Sequence, residues 1–302
     1  MSISRINNTL TLDFLDQILA KNGPDPEDYT VLNQYITRLD KDHKMGLLKS
    51  GKVEALKYQM ENLLPKSSNL GWAQRKPLGY AGDHQVIDRM YRFQVSSNPK
   101  NCKWDIYFHR IQAAQAVRNR KTYFKNLLLR KTLLHSGTFR VLNLASGPAR
   151  DILEFLQENP GADVHFTCVE LDQRAIDFAS ELLDGYLDRV TFVQKNVFRY
   201  QTEQQFDLVW SAGLFDYFED KVFVRLYRRL LSNVKPTGEI VIGNFHPRNE
   251  SRPVMEILTD WYLHHRTEEQ LAALAQEAGA DLASLRVEQE PLGVNLFLRM
   301  AK

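Results

Sequence analysis

Along the first third of the chain, apolar residues recur at helical spacing. Leu12, Leu15, Ile18 and Leu19 mark a short helix over Thr11–Ala20, closed by Asn22-Gly23-Pro24. Tyr29, Leu32, Tyr35, Ile36 and Leu39 carry the same period from Pro26 to about Lys49, with Asp25 as N-cap and Pro26 at the first helical position. A third segment, Val53–Leu64, stops at Pro65. Lys66–Gly82 is rich in Ser, Asn, Gly and Pro and predicts a loop, leading into a short helix over Asp83–Phe93. Trp104–Leu134 predicts the longest helix, broken near Asn119 and closed by His135-Ser136-Gly137.

After Gly137 the period changes. The runs FRVLNLA, VHFTCVEL, VTFVQKN, FDLVWSA and GEIVIGN read as strands, with helices near Ala149–Asn159, Arg174–Tyr186 and Lys221–Asn233 between them. Such alternation implies right-handed crossovers and a parallel sheet. Leu285–Gln289 and Val294–Met300, around Pro291-Leu292-Gly293, predict an antiparallel hairpin at one edge. The expected architecture is α/β: a doubly wound, mostly parallel seven-stranded sheet with that edge hairpin, preceded by helices. The expected domains are 1–136 and 137–302.

Composition narrows the class. At 302 residues, 43% hydrophobic and 25% charged, the chain has globular composition, which excludes collagen-like, disordered and coiled-coil proteins. Two cysteines, Cys102 and Cys168, build no disulfide framework and offer no metal-ligand spacing, so we expect a reducing, cytoplasmic setting and no metal. The first fifteen residues lack a signal-peptide apolar run, and no run of about 18 apolar residues predicts a membrane span. Charge is uneven: residues 1–136 hold 22 Lys+Arg against 12 Asp+Glu, and the remainder 17 against 25. The bland reading of the basic part is a solvated helix face complementing the acidic part; the functional one is a surface for an anionic or carrier-bound acceptor. Aromatic interleaving is too thin for nucleic acid.

In a doubly wound sheet, ligands bind outside the carboxyl ends of the strands, so those turns carry the candidate chemistry. The first is Asn143 to Asp151, where Gly147 permits a tight bend and Pro148 and Ala149 suit a helix start. At the second, Glu170 followed by Leu171 places a carboxylate for both hydroxyls of a ribose. At the third, Asn196 and Val197 present an amide suited to an adenine edge. The fourth is Ser211-Ala212-Gly213 running into Asp216 and Tyr217.

On these residues, 139–300 resemble a class I S-adenosylmethionine-dependent methyltransferase domain, whose fold is a Rossmann-like sheet. The resemblance implies that Ala145, Ser146, Gly147 and Ala149 hold the methionine part of S-adenosylmethionine, Glu170 the ribose and Asn196 the adenine, with Asn143, Leu171, Val197, Ser211, Ala212 and Gly213 beside them. The sequence departs from the family where Asn143 replaces a common acidic residue and where Ala145 and Ala149 replace common glycines. KPLGYAGD (76–83), NLASGPARD (143–151), AGLFDYF (212–218), GNFHPRN (243–249) and DWYLHHRTEE (260–269) also resemble a bacterial subgroup with an N-terminal helical extension. Its members are similar to small-molecule and hydroxy-fatty-acid ester methyltransferases of signalling and secondary metabolism, and some relatives are cyclases.

That resemblance makes the helical part a lid. Tyr80 would face the sulfonium, Asp83 would cap the following helix beside the cofactor, and Arg75 with Lys76 would meet the cofactor carboxylate. Asp216 or His246 would be the general base, and Tyr80, Asp216 and His246 form the candidate catalytic set. Tyr217, Asn244, Tyr262 and Arg266 are candidate substrate contacts. At helical spacing Trp261 and His265 share one face, and Tyr262 and Arg266 a neighbouring one. The leading expectation is methyl transfer to an oxygen or nitrogen of a small molecule. The alternatives are intramolecular attack by the cofactor's amino group, releasing methylthioadenosine, and a non-catalytic sensor.

Overall fold

The computed structural model describes residues 14–47, 51 and 64–302. The helix expected over Val53–Leu64 lies outside the described residues except for Leu64, as does the start of the first helix. The chain forms two compact units: one of the residues up to Gln115 with Glu250–Tyr262, the other of Ala116–Asn249 with Leu263–Lys302.

In the helical unit, residues 14–20 bury Leu15 and Ile18, and Tyr29–Lys44 buries Leu32, Ile36 and Leu39, the stripe that the sequence spacing predicts. That helix meets Arg252–Thr259, where Lys44 Nζ lies 2.8 Å from both Asp40 and Glu256 carboxylates. The expected loop over Lys66–Gly82 contains a helix, Asn69–Arg75. Ser68 Oγ starts it, donating to Pro65 O at 2.8 Å and accepting the Gly71 N–H at 3.1 Å. Gly71 is required by close approach, since a Cβ there would fall 2.2 Å from Pro65 O. The helix His84–Tyr91 follows, with Asp83 accepting from the Gln85 and Val86 N–H groups at 2.9 and 3.0 Å.

The long helix is also broken earlier than expected. Pro99–Arg110 and Gln112–Leu133 are separated at Ile111, whose ψ of 148° is extended. The break is stabilised because the Ala113 N–H, orphaned at the new helix start, donates to Ser251 Oγ at 2.9 Å.

The sheet unit carries β1 (Phe139–Leu144), β2 (Val164–Glu170), β3 (Val190–Gln194), β4 (Phe206–Ala212), β5 (Val234–Phe245), β6 (Leu285–Gln289) and β7 (Asn295–Ala301). Their order is β3-β2-β1-β4-β5-β7-β6. The first five are parallel, and β7 runs antiparallel to both β5 and β6. The order reverses between β1 and β4, and ligands of such sheets bind at that switch point. Apolar layers cover both faces, one built on Phe223, Tyr227 and Leu230, the other on Phe124, Leu128, Ile152 and Phe155. Phe124 stacks on Trp210 at 4.5 Å and Tyr123 on Phe297 at 3.7 Å. By packing, residues 116–136 therefore belong with the sheet, and 250–262 with the helices.

The stretch 260–266 is not helical. Asp260 adopts a left-handed φ of 45° that ends Arg252–Thr259, and the backbone donors beyond are taken elsewhere. The His264 N–H donates to Asp216 O at 2.6 Å and the Arg266 N–H to Phe245 O at 2.9 Å. The helical faces expected for Trp261, Tyr262, His265 and Arg266 do not exist.

Candidate functional site

Beyond β1 the chain turns back through Ala145, Gly147 and Ala149, whose φ values are +52°, +56° and +51°. Two alanines thus hold a conformation that glycine adopts freely and that costs an L-residue roughly 1–2 kcal/mol. The turn keeps a glycine-rich geometry with one glycine. Gly147 N–H donates to Glu170 Oε2 at 3.0 Å, and a Cβ on Gly147 would meet nothing within 4 Å. Ser146 Oγ is buried and has no hydrogen-bond partner among the described residues. The buried Asn143 amide forms no hydrogen bond among the described residues.

Glu170 ties this turn to the end of β2, because its other oxygen accepts the Leu171 and Asp172 N–H groups at 2.7 and 3.1 Å. Three of roughly four acceptor positions on the carboxylate are taken, leaving one on Oε2. Asn196 Oδ1 accepts the Phe198 N–H at 2.8 Å, while no hydrogen bond of its Nδ2 occurs among the described residues. Leu171 is exposed, Val197 buried, and Ser211 donates to Leu144 O at 3.2 Å, joining the ends of β4 and β1.

Past β4, Ala212 leads to Gly213, whose φ is +101°. A Cβ there would come within 2.8 Å of Arg120 Nη1 and 3.3 Å of its Cζ, so the guanidinium lies against bare backbone. Arg120 is only 6% exposed. Burial pushes the carboxyls of both Asp151 and Asp216 up to about 6, and the Arg120 charge draws both partly back. Asp151 Oδ1 accepts the Ile152 N–H at 3.0 Å, and Asp216 Oδ1 accepts the Phe245 N–H at 2.6 Å. Each carboxyl is also stabilised by its own backbone N–H. Sequence reasoning gave Arg120 and Asp151 no role. Arg120 sat in a basic run that looks solvated, and no periodicity reveals its burial.

Two other candidates are engaged internally. His246 Nδ1 accepts the Arg248 N–H at 2.9 Å, so the ring proton belongs on Nε2, 3.2 Å from Glu268 Oε2. That pattern leaves the imidazole no lone pair for a substrate proton, against its expected role as base. Arg266 commits all five N–H donors: Nε and Nη2 to Asp220 Oδ1, Nη2 also to Phe218 O, and Nη1 to Phe215 O and Asn244 Oδ1. Asn244 Nδ2 donates to the Phe245 and His264 carbonyls. Expected as substrate contacts, Arg266 and Asn244 instead clamp the 215–220 turn to the end of β5. Tyr217, on that turn, stays 39% exposed.

Tyr80, Arg75, Asp83 and Tyr262 belong to the helical unit. Arg75 donates to Gly71 O and Leu64 O, bracing its own helix against Leu64. The buried Asp83 carboxylate caps its helix and accepts Trp72 Nε1–H at 2.9 Å, anchoring the 76–83 loop at both ends. Tyr80 is 39% exposed on that loop, and Tyr262 is exposed.

Residues 141–238 match the family model of a methyltransferase domain. No curated protein matches the chain. Among solved structures, a possible exported protein from Bordetella parapertussis is similar at TM-score 0.64 and 21% identity, over 84% of this chain and 95% of that one. The S-adenosylmethionine-dependent methyltransferase SibL is similar at TM-score 0.51 and 14% identity, over 88% and 77%. Magnesium protoporphyrin IX methyltransferase (ChlM) from Synechocystis PCC 6803, with bound S-adenosylhomocysteine, is similar at TM-score 0.51 and 11% identity, over 72% and 94%. The residues fit S-adenosylmethionine: an acceptor on Glu170 and a donor on Asn196 stand at adjacent strand ends, and the buried Ser146 hydroxyl, without a hydrogen-bond partner among the described residues, lies in the turn at the switch point. Over 141–238 the chain is therefore similar to a methyltransferase domain, and it shares the fold of these solved structures.

Proposed function

We propose that the protein transfers the methyl group of S-adenosylmethionine to an oxygen or nitrogen of a small molecule, with Asp216 as general base. The observation that carries this reading is the Asp216 carboxyl. It is buried beyond β4, pushed up to about 6, and held at Oδ1 by the Phe245 N–H. A base poised near the working pH combines a usable ionised fraction with proton affinity.

S-adenosylmethionine supplies an electrophilic methyl carbon on a sulfonium. Glu170 would hold the ribose and the Asn196 amide the adenine, while the 145–149 turn would cradle the amino-acid end. Asp216 would take the proton from the acceptor O–H or N–H as its oxygen or nitrogen is methylated, with S-adenosylhomocysteine as the leaving product. Apart from that proton, the protein contributes alignment and exclusion of water. A small acceptor is in keeping with ChlM, which is named for a porphyrin. With both cysteines free, a reducing cytoplasmic setting belongs to the same proposal, and no helix among the described residues is long and apolar enough to cross a membrane.

The test is incubation with S-adenosylmethionine, with and without a panel of hydroxy acids, phenols and amines, followed by mass spectrometry of the adenosyl product. S-adenosylhomocysteine forming only with an acceptor supports the reading. Methylthioadenosine forming without one overturns it.

A further inference from the structure

Resting on the reading of Asp216 as general base, we propose that Arg266 is a positioning residue, which aims that carboxyl for proton transfer by acting through the turn that carries it. Asp216 lies in the short helical turn Phe215–Tyr217 beyond β4. Arg266, 3% exposed, holds the turn on both sides of it: Nη1 donates to Phe215 O at 3.2 Å and Nη2 to Phe218 O. Nη1 also reaches Asn244 Oδ1 at 2.9 Å, Nε and Nη2 reach Asp220 Oδ1 at 3.0 and 2.9 Å, and the guanidinium lies 5.1 Å from the centre of the Phe223 ring. The second anchor is Phe245. Its N–H donates to Asp216 Oδ1 at 2.6 Å, and its carbonyl accepts the Arg266 backbone N–H and the Asn244 amide at 2.9 Å each. The His264 N–H completes the set, donating to Asp216 O at 2.6 Å.

The work asks for an arginine. The carbonyls to be held flank Asp216 at 215 and 218, so the donors must be spread in a fixed plane, whereas a lysine ammonium gathers its donors at one point. The same side chain also acts on the base by its charge. Burial raises the Asp216 carboxyl, and two cations draw it partly back: Arg120, from the helix Gln112–Leu133, and Arg266. Of the other ionisable groups at this strand end, His246 is turned to the Arg248 N–H and to Glu268, and Asp220 is paired with Arg266. The Asp220 side chain is 70% exposed, so it offsets the Arg266 charge only in part. One guanidinium thus fixes where the carboxyl stands and moderates how tightly it holds a proton.

The experiment follows the Asp216 carboxyl by NMR titration of the full chain carrying isotope-labelled aspartate, its signal identified by its loss in Asp216→Asn. Beside it run calorimetry with S-adenosylmethionine and pH–rate profiles with a methylated member of the acceptor panel above. Arg266→Gln removes the charge and should move the Asp216 titration up by about half a pH unit or more. Asp220→Asn keeps an oxygen for the guanidinium and removes the opposing charge, so the titration should move down, by about 0.2–0.5 pH units at low ionic strength. Opposite displacements are not expected of a clamp that serves only the fold. Arg266→Lys keeps the charge and loses the fork, so turnover should fall about 10- to 100-fold while S-adenosylmethionine affinity stays within about threefold. A titration that neither Arg266→Gln nor Asp220→Asn moves overturns the inference, as does Arg266→Lys with wild-type turnover. Should Arg266→Gln fail to fold, Asp220→Asn, changed only at an exposed side chain, decides on its own. In each case the base reading stands if wild-type turnover still follows the Asp216 titration. Wild-type turnover that ignores that titration, with Asp216→Asn fully active, overturns the base reading and with it the proton transfer that Arg266 would position.

Discussion

The sheet unit holds two clusters of buried charge, and they are built on opposite terms. Near the strand starts, Glu239 on β5 receives Arg299 Nε and Nη2 at 2.7 Å each, Lys131 Nζ at 2.9 Å and Arg286 Nη2 at 3.2 Å. Arg299 continues to Glu288 at 2.8 Å, and Glu288 accepts the Tyr123 hydroxyl at 2.6 Å. Beyond the strand ends, Asp151 and Asp216 receive backbone N–H groups. Burial alone would raise all three carboxyls. At Glu239 the bonds from Arg299 and Lys131 outweigh it and hold the group below the usual range, while at Asp151 and Asp216 burial wins. A saturated cluster holds β5, β6, β7 and the helix Gln112–Leu133 together and has nothing to offer a ligand. Buried acids whose proton affinity stays raised cost stability, and groups of that kind are candidates for chemistry.

The comparison breaks most visibly at Asp216. Asp216→Asn should lower turnover by about 10²–10⁴-fold, and wild-type turnover should rise with pH through about 6, as the base loses its proton. Steady-state rates across pH check this, and a fully active, pH-indifferent variant would remove the base. At the other cluster, Glu239→Ala leaves Arg299 with Glu288 and the Tyr123 hydroxyl and should cost roughly 3–5 kcal/mol in urea melts, with cofactor affinity unchanged. Between the two stands Glu170, which holds the turn through Gly147 and is the ribose contact proposed above. Glu170→Ala should weaken cofactor binding by roughly 1.5–3 kcal/mol, read by calorimetry.

A milder effect has the opposite sign in the two clusters. For Asp151 the native carboxyl is raised, so its contribution to stability is present below about pH 4 and is lost as pH rises through about 6. Asp151→Asn should therefore stabilise the fold by about 1–3 kcal/mol at pH 8 and by nothing near pH 4. Glu239 runs the other way: lowered in the fold, it stabilises above the ordinary carboxylate range and is lost as pH falls through its native value. Smallest of all, Ala149→Gly relieves a left-handed alanine worth roughly 1–2 kcal/mol and returns about 0.4–1 kcal/mol of unfolded-state freedom. Thermal melts should show a net gain under about 1 kcal/mol.

The sheet was legible because its strands are buried on both faces and read as apolar runs between turn residues, which holds for FDLVWSA and GEIVIGN alike. The helical region was harder. Asn69–Arg75 hides among loop-forming residues because its start depends on Ser68 and Pro65, and the break at Ile111 depends on Ser251, far along the chain. Within the site, the Glu170, Asn196 and Gly147 positions followed from strand ends. Arg120 did not, since a buried arginine and a solvated one look the same in a basic helix. Arg266 and His246 misled for the converse reason: their chemistry suggested function, and only their partner sets show it committed to the fold.

The left-handed alanines at 145 and 149 bear on the thermodynamics of association. A glycine-rich turn is mobile when free and loses that mobility when it closes on a ligand, an entropic cost that falls on binding. Alanine narrows the accessible conformations, and Glu170 fixes the turn from below through Gly147. For the cofactor site proposed above, this predicts a backbone set when the chain folds, so that an incoming molecule meets a preformed cradle. Its affinity should depend on enthalpy, and so on how well the ligand's polar groups match those that await them.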